Sequence, residues 1–542
     1  MPRKKPTWSH LTLAELQQEC IRYNLSPGGT KQELIQRLKS YFKHGKAYKK
    51  PIRYRQEGEQ EYQRSRQVQT QLDIFQKEGI EWMKKNYKII GEGTYGIVFQ
   101  LPGSTRIVKI DKVKGTGRLM STSLAECCSL SLLHPYADDL SLVHTDSITY
   151  LPIYASDICE QKGEKICSFP FFIFMEDEGT SLYDRKPANI KEILFQLLRT
   201  LAWFETNGFV HGDVSIKNIL YDAKHAHSAL IDFGSFVFEP SILPSMWSTT
   251  PNYRPPEAER VGNREKLRPN YDVFSLGIIG LNLCGIDWDD THQEINIAQH
   301  RNTELEFKVP DPVLEHLLHQ MLLLSPEQRP SASQLLSHPY FSVFTVEEHM
   351  IPPPLSFSSY VLPKGFMTSK HPDTYHIGFR KILLEWMMEL CVSMGKDQAG
   401  PPTTTCFSLA VSILDRYYYH TTTPLDKITL QCVGACCLLL ALALLQQIDI
   451  EFDIVVHYTS KEDPITHIFI PTYTHEQVRD TVNDILTTLR YQLYMKMFDR
   501  LIPVRVPNDI LMEIVLDHDF MCEKQDDIAQ KVLLKIKSQP SR

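Results

Sequence analysis

Residues 90–98 read Ile-Gly-Glu-Gly-Thr-Tyr-Gly-Ile-Val, and three glycines at that spacing constrain this chain more than any other feature. Glycine lets backbone amides approach the phosphates of a nucleotide with no Cβ in the way. A dinucleotide-binding turn reads much the same, so the residues that follow must decide. Downstream, in order, come Lys109 in Ile107-Val108-Lys109, Glu126 within a predicted helix, His211-Gly212-Asp213 with Asn218, Asp232-Phe233-Gly234, and Pro255-Pro256-Glu257. Asp272 and Arg329 complete the series. A lone aspartate is usually a helix cap or a surface charge. Eight such positions in order leave negligible room for coincidence.

On these residues, the stretch 85–341 resembles a eukaryotic-type protein kinase of α+β, two-lobed fold. The resemblance implies ATP and Mg²⁺ as cofactors and a protein as substrate. Ile90, Gly91, Gly93, Gly96 and Val98 would cover the nucleotide, with Glu176 and Glu178 also at the ATP site. Lys109 would grip the α- and β-phosphates, with Glu126 as its ion-pair partner. Asp213 would accept the substrate hydroxyl proton, and Asn218 and Asp232 would hold metal. Arg329 is expected to pair with Glu257. Where such kinases keep a lysine two residues after the catalytic aspartate this chain has Ser215, and Lys217 stands in reach to replace it.

Within that superfamily the resemblance is to cyclin-dependent kinases. Gly91-Glu92-Gly93-Thr94-Tyr95-Gly96 reproduces their glycine loop, where Thr94 and Tyr95 would be regulatory, and Ser121-Thr122-Ser123-Leu124-Ala125-Glu126 echoes the helix a cyclin grips. Ser245 falls at the activation-loop phosphorylation position. Yet the three positions that supply arginines to that phosphate in the family read Ala125, Gly212 and Val237. A phosphate on Ser245 would gain no charge-assisted partner from them, so the loop must be held by other means.

Residues 1–55 hold 13 Lys and Arg against three acids, in a chain of net charge −7, so a basic head precedes an acidic body. Over 8–42, Thr12-Leu13-Ala14-Glu15 and Thr30-Lys31-Gln32-Glu33 are two capping boxes, each ahead of an apolar-periodic run. This helix pair resembles the SAP DNA-binding motif, which implies DNA contact through residues 1–50, with Lys31, Arg37, Lys39 and Lys43 facing phosphates. A solvated basic helix pair, or a nuclear address in Arg3-Lys4-Lys5, reads the same way.

Residues 373–500 resemble an all-α cyclin box, in which Arg380 and Asp415 would form a buried salt bridge. The Lys and Glu with which cyclins hold the kinase helix are replaced by Ala443 and Val482. The bundle therefore either docks on its own kinase differently or binds something else. Between these units lie a basic, polar linker at 43–84 and a Pro-rich linker at 342–372, with an unassigned helical tail at 501–542. The apolar stretch Cys432–Leu445 is shorter than the roughly 18 residues that span a bilayer, so no membrane is expected. With no secretory signal visible, the expected location is intracellular, in nucleus and/or cytoplasm, and the fused layout suits the infected cell of a large DNA virus. The expectation is a multidomain serine/threonine kinase with its activator in cis and a DNA tether. The rival is a DNA-associated scaffold that uses the kinase fold only for binding.

Overall fold

The computed structural model describes residues 12, 16, 31–32, 34–35, 59–92, 96–111, 118–150, 153–154, 167–168, 171–184, 189–238, 249–258, 267–286, 305–357, 360–364, 366–369, 377–397, 404–422, 425, 427–446, 449–462, 469–502, 506–517 and 520–538.

Helix α1 (Glu59–Asn86) leads in, broken at Gly79, whose φ of 76° only glycine adopts without strain. Strands β1 (Lys88–Glu92), β2 (Gly96–Gln100), β3 (Arg106–Asp111), β5 (Thr145–Tyr150) and β6 (Phe171–Glu176) form an antiparallel sheet in the order β1-β2-β3-β6-β5. The two-residue strand β4 (Arg118–Leu119) lies outside it and leads into helix α2 (Ser121–Leu133). Alternation of side chains sorts the strands into two faces. Val108, Ile110, Phe172 and Phe174 point to one face and pack on Leu72, Phe75 and Met83 of α1, with Phe75 edge-on to Phe172 at 4.6 Å. Ile107, Ile173 and Met175 point to the other and join the main core with α2. The polar linker expected at 43–84 is thus corrected over its second half. Val68, Leu72 and Phe75 repeat at i, i+4 and i+7, a helical stripe that the surrounding Gln, Lys and Arg hide in the composition.

The second lobe is helical. Strands β7 (Thr180–Ser181), β8 (Ile219–Asp222) and β9 (His227–Leu230) make a small antiparallel sheet over helix α3 (Ile190–Asn207), which packs on α4 (Tyr271–Leu283) and is followed by α5 (Pro312–Met321). The Pro-rich linker expected at 342–372 is not a bare tether. Trp203 Nε1 donates to the Pro353 carbonyl at 3.1 Å, and Asn207 Oδ1 accepts from Leu355 N at 2.7 Å. The prolines keep the strap extended while helix α3 satisfies its backbone.

The third unit is a bundle of α6 (Ile377–Asp397), α7 (Thr404–His420), the buried α8 (Lys427–Gln446), α9 (Phe452–Thr459) and α10 (His475–Thr488). A Cβ at Gly434 of α8 would sit 2.9 Å from Leu383 Cδ1, so glycine is what lets α6 approach. Arg380 and Asp415 are joined by two bonds of 2.9 and 2.8 Å in the interior. The unassigned tail belongs to this bundle. Helix α11 (Asn508–Leu516) offers its last carbonyl to Arg380, and Gln525, which opens α12 (Gln525–Ser538), accepts from Phe498 N at 3.0 Å. Among the described residues no helix is long and apolar enough to cross a membrane.

The bundle and the kinase-like unit share one core. The short strand β10 (Ile450–Glu451), between α8 and α9, pairs antiparallel with β4, setting Ile450 opposite Leu119 and Glu451 opposite Arg118.

Candidate active site

Period-two alternation places Lys109 on the inner face of β3, beside Ile107. Its Nζ lies 2.6 and 2.7 Å from the two carboxylate oxygens of Glu126 on α2, and 3.2 Å from Asp232 Oδ1. Burial alone would lower the lysine pKa, but Asp232 and Glu126 outweigh it and hold the ammonium charged above its ordinary range. Lys109 in turn keeps Asp232 ionised, below the usual carboxylate range. Asp232 sits in the left-handed region at φ 63°, a conformation that costs a non-glycine residue about 1 kcal/mol or more. At Gly96 a Cβ would meet Ile110 O at 3.1 Å and Lys109 Cε at 3.3 Å. The glycine is what leaves room beside the lysine.

Helix α3 ends at Gly208, left-handed at φ 77°, and the chain turns into the His211–Asn218 loop. Asp272 at the start of α4 pins that loop, accepting from His211 N at 2.6 Å and Gly212 N at 3.0 Å. Asp213 accepts from Thr250 N at 2.6 Å and from Asn218 Nδ2 at 2.9 Å. Burial raises the Asp213 pKa, partly offset by Thr250. Because Nδ2 of Asn218 also donates to the Asp213 carbonyl at 2.9 Å, its Oδ1 is the atom left for a cation. The Asp232 carboxylate is 44% exposed, open enough to be a second ligand. A carboxylate, an amide oxygen and an ammonium converging on one cleft suit Mg²⁺ and nucleotide phosphates. Arg329 holds Glu257 by two bonds of 2.7 and 3.0 Å, closing the segment after the loop.

Other expected residues lie differently. Lys217 is exposed, with its Nζ 4.9 Å over the ring of Tyr183, and the structure brings it to that ring rather than to Asp213. The Glu178 carboxylate is turned away from the cleft, 3% exposed, and takes bonds from His144 N and Nδ1 at 3.2 and 2.7 Å. Glu176 ends β6, its N–H donating to His144 O. Ile90 is exposed on β1, and among the described residues Gly91 has only Val98, half-buried, near its Cβ position. Gly93, Thr94, Tyr95 and Ser245 lie outside the described residues, as do Arg37, Lys39 and Lys43 of the head. There, Leu16 and Leu34 are buried helical residues and Lys31 is exposed.

Sequence reasoning missed the residues that hold α2. Its N-terminus has no side-chain cap of its own; instead Asp449 Oδ1, from the bundle, accepts from both Ser121 N and Ser121 Oγ at 2.9 Å. Near the other end Ser131 Oγ donates to the Arg490 carbonyl at 2.7 Å. Arg490 and Tyr491 are both left-handed, at φ 50° and 60°. Ala443 and Val482 are buried and offer no polar side chain. An aspartate followed by Ile-Glu carries no signal that its cap lies on another domain.

Three family models match the chain, in the order expected from the sequence. A SAP domain family model matches residues 7–43, a protein kinase domain model 153–341, and a cyclin N-terminal domain model 358–494. The chain is 27% identical over 301 residues to "Cell division control protein 2 homolog 2" of Trypanosoma brucei brucei, covering 48% of this chain and 82% of that one. It is 25% identical over 324 residues to "Calcium-dependent protein kinase 6" of Plasmodium berghei, covering 56% of this chain and 20% of that relative. Human "Calcium/calmodulin-dependent protein kinase type IV" is 31% identical over 180 residues, which is 30% of this chain and 37% of the relative. Apart from the first, these relatives are spanned over well under half their length. The solved "Structure of the Cydia pomonella Granulovirus kinase, PK-1" is 17% identical, with a TM-score of 0.36, covering 48% of this chain and 97% of that one. The family models thus set a protein kinase domain between a SAP domain and a cyclin N-terminal domain.

Proposed function

We propose that this chain is an ATP- and Mg²⁺-dependent serine/threonine kinase of cyclin-dependent type, switched on in cis by its own cyclin domain and tethered to DNA by its head. The observation that carries the reading is helix α2. One of its residues, Glu126, closes on Lys109 at 2.6 Å, while its N-terminus is capped by Asp449 of the bundle. A helix end leaves unpaired amides, and a carboxylate there stabilises one position of the helix. The bundle thus favours the position in which Lys109 and Glu126 pair, which phosphoryl transfer requires. Asp213 would take the substrate proton, Asn218 and Asp232 would hold the metal, and Lys109 would bind the phosphates. Lys31 and the basic residues around it would face DNA phosphates. ATP, protein substrate and DNA meet inside a cell, in the nucleus or cytoplasm, and the fused layout suits a large DNA virus.

The test is transfer of γ-phosphate from labelled ATP to a generic basic protein by the full chain, with Asp213→Asn as the blank. Transfer above the blank supports the kinase reading; equal signals would leave the scaffold reading in its place.

A further inference from the structure

A row of rings runs from the catalytic loop out into the cyclin domain. His211 meets Phe233 at 4.9 Å, Phe233 meets Phe236 at 5.8 Å, and Phe236 meets Phe238 edge-on at 5.0 Å. The next ring, Tyr494, belongs to the bundle. It lies 4.8 Å from Phe238 and 5.6 Å, edge-on, from Phe209. Phe209 stands two residues before His211, and Phe238 stands four residues after Gly234. One side chain of the cyclin domain therefore touches both the start of the catalytic loop and the start of the activation segment. Phe357 of the Pro-rich strap backs Tyr494 at 5.8 Å. Every ring from His211 to Tyr494 is buried.

Tyr494 is itself held from behind. Arg416, 3% exposed, donates to the Gln492 and Leu493 carbonyls at 2.7 Å each, and its guanidinium stacks 4.6 Å over the ring of Tyr360. An arginine clamped on two successive carbonyls fixes the backbone immediately before Tyr494. The ring is presented on a rigid mount.

We infer that Tyr494 is a positioning residue for the kinase: its ring locks the segment after Asp232-Phe233-Gly234 by packing, a task that a phosphorylated loop residue would otherwise perform through charge. Ala125, Gly212 and Val237 offer no arginine for a phosphate, and all three are buried. Val237 is instead tied by its backbone to Val210, at 2.8 and 3.1 Å. Phe238, the residue after Val237, is the one whose ring meets Tyr494. A ring stack needs no modification to form, is indifferent to phosphatase, and is not screened by salt. This inference rests on the kinase reading and names how its cyclin domain acts on the activation segment.

The experiment uses the full chain carrying Tyr494→Phe, Tyr494→Leu or Tyr494→Ala, each assayed for kcat and for KM of ATP before and after phosphatase treatment. Without the ring to pack on Phe209 and Phe238, Tyr494→Ala should show kcat lowered by about tenfold, with Phe retaining most activity and Leu falling between. Phosphatase should change wild type by less than about twofold. Backbone amide exchange at residues 233–238 should quicken in Tyr494→Ala while that of α4, with Asp272, stays slow, which a general loss of folding would not reproduce. If Tyr494→Ala matches wild type in kcat and exchange, or if phosphatase silences wild type, the inference is overturned. If wild type does not exceed the Asp213→Asn blank, it is the kinase reading that has failed.

Discussion

The cleft and the face that docks on the cyclin domain are built from different materials. In the cleft, charges do the positioning: Lys109 with Glu126 and Asp232, Arg329 with Glu257, Asp272 on two amides. At the docking face a single carboxylate works beside a backbone carbonyl and rings: Asp449 on Ser121 N, the Arg490 carbonyl on Ser131, Tyr494 on Phe209 and Phe238. Charged chemistry needs specific side chains at fixed places, so it leaves motifs. Docking needs only a capping acceptor, a bent backbone and ring surface, which many sequences supply.

The largest break in this contrast is expected inside the cleft. Lys109→Met should bring phosphate transfer down to the level of Asp213→Asn while the melting transition persists, because Nζ is lost and the core of β3 is untouched. Activity well above that blank would assign the phosphate grip to another group.

The next break is at the docking face. Removing a helix cap costs about 0.5–2 kcal/mol, so Asp449→Ala should lower kcat by about 2- to 30-fold through the Lys109–Glu126 pair. Asp449→Asn keeps an acceptor oxygen and should stay closer to wild type. Ser245→Ala, by contrast, should leave most activity in place, and a dead Ser245→Ala chain would return control of the segment to a loop phosphate.

The head probes the same contrast from outside both regions. Deleting residues 1–50 should leave activity on a free peptide unchanged, and it should flatten the salt dependence of duplex DNA binding. The log–log slope should fall by about 0.9 for each phosphate contact removed. Unchanged DNA affinity would leave the SAP domain without that role.

The smallest effect is a pH dependence at His144, which bonds Glu178. Burial lowers the His144 pKa, but hydrogen bonds to Asp138 and Glu178 overcome it and push it up to about 9, from 6.5. A folded pKa above the unfolded one stabilises fully below pH 6.5, and that stability fades as pH rises through about 9. His144→Gln should therefore cost about 1 kcal/mol at the acid end of that window and little at its alkaline end. A melting difference that grows with pH would contradict the assignment.

The candidate site's charged groups were legible as a set because their order along the chain is itself a signal. Lys109, Glu126, Asp213, Asn218 and Asp232 all reach one cleft. The pair of Arg380 and Asp415 was legible through the cyclin-box resemblance, and the structure joins the two in the interior. What escaped was set by tertiary context. Helix α1 was masked by its polar composition, although Leu72 and Phe75 hold it on the sheet. The Pro-rich strap reads as a spacer until Trp203 and Asn207 are seen to meet its backbone. Glu178 was expected to face the nucleotide, and nothing in its neighbours announced His144, 34 residues away. Asp449 caps a helix 328 residues distant, a pairing no local pattern encodes.

On this reading the cyclin domain holds the kinase in its active arrangement by a cap and a ring. The most direct measurement is kcat of the full chain carrying both Asp449→Ala and Tyr494→Ala, beside each single variant and Lys109→Met. Because cap and ring hold different elements, the double variant should fall by about the product of the single losses, about 20- to 300-fold, while the chain still melts cooperatively. A double variant that stays folded and keeps wild-type kcat would show that the cyclin domain sits on the kinase without activating it.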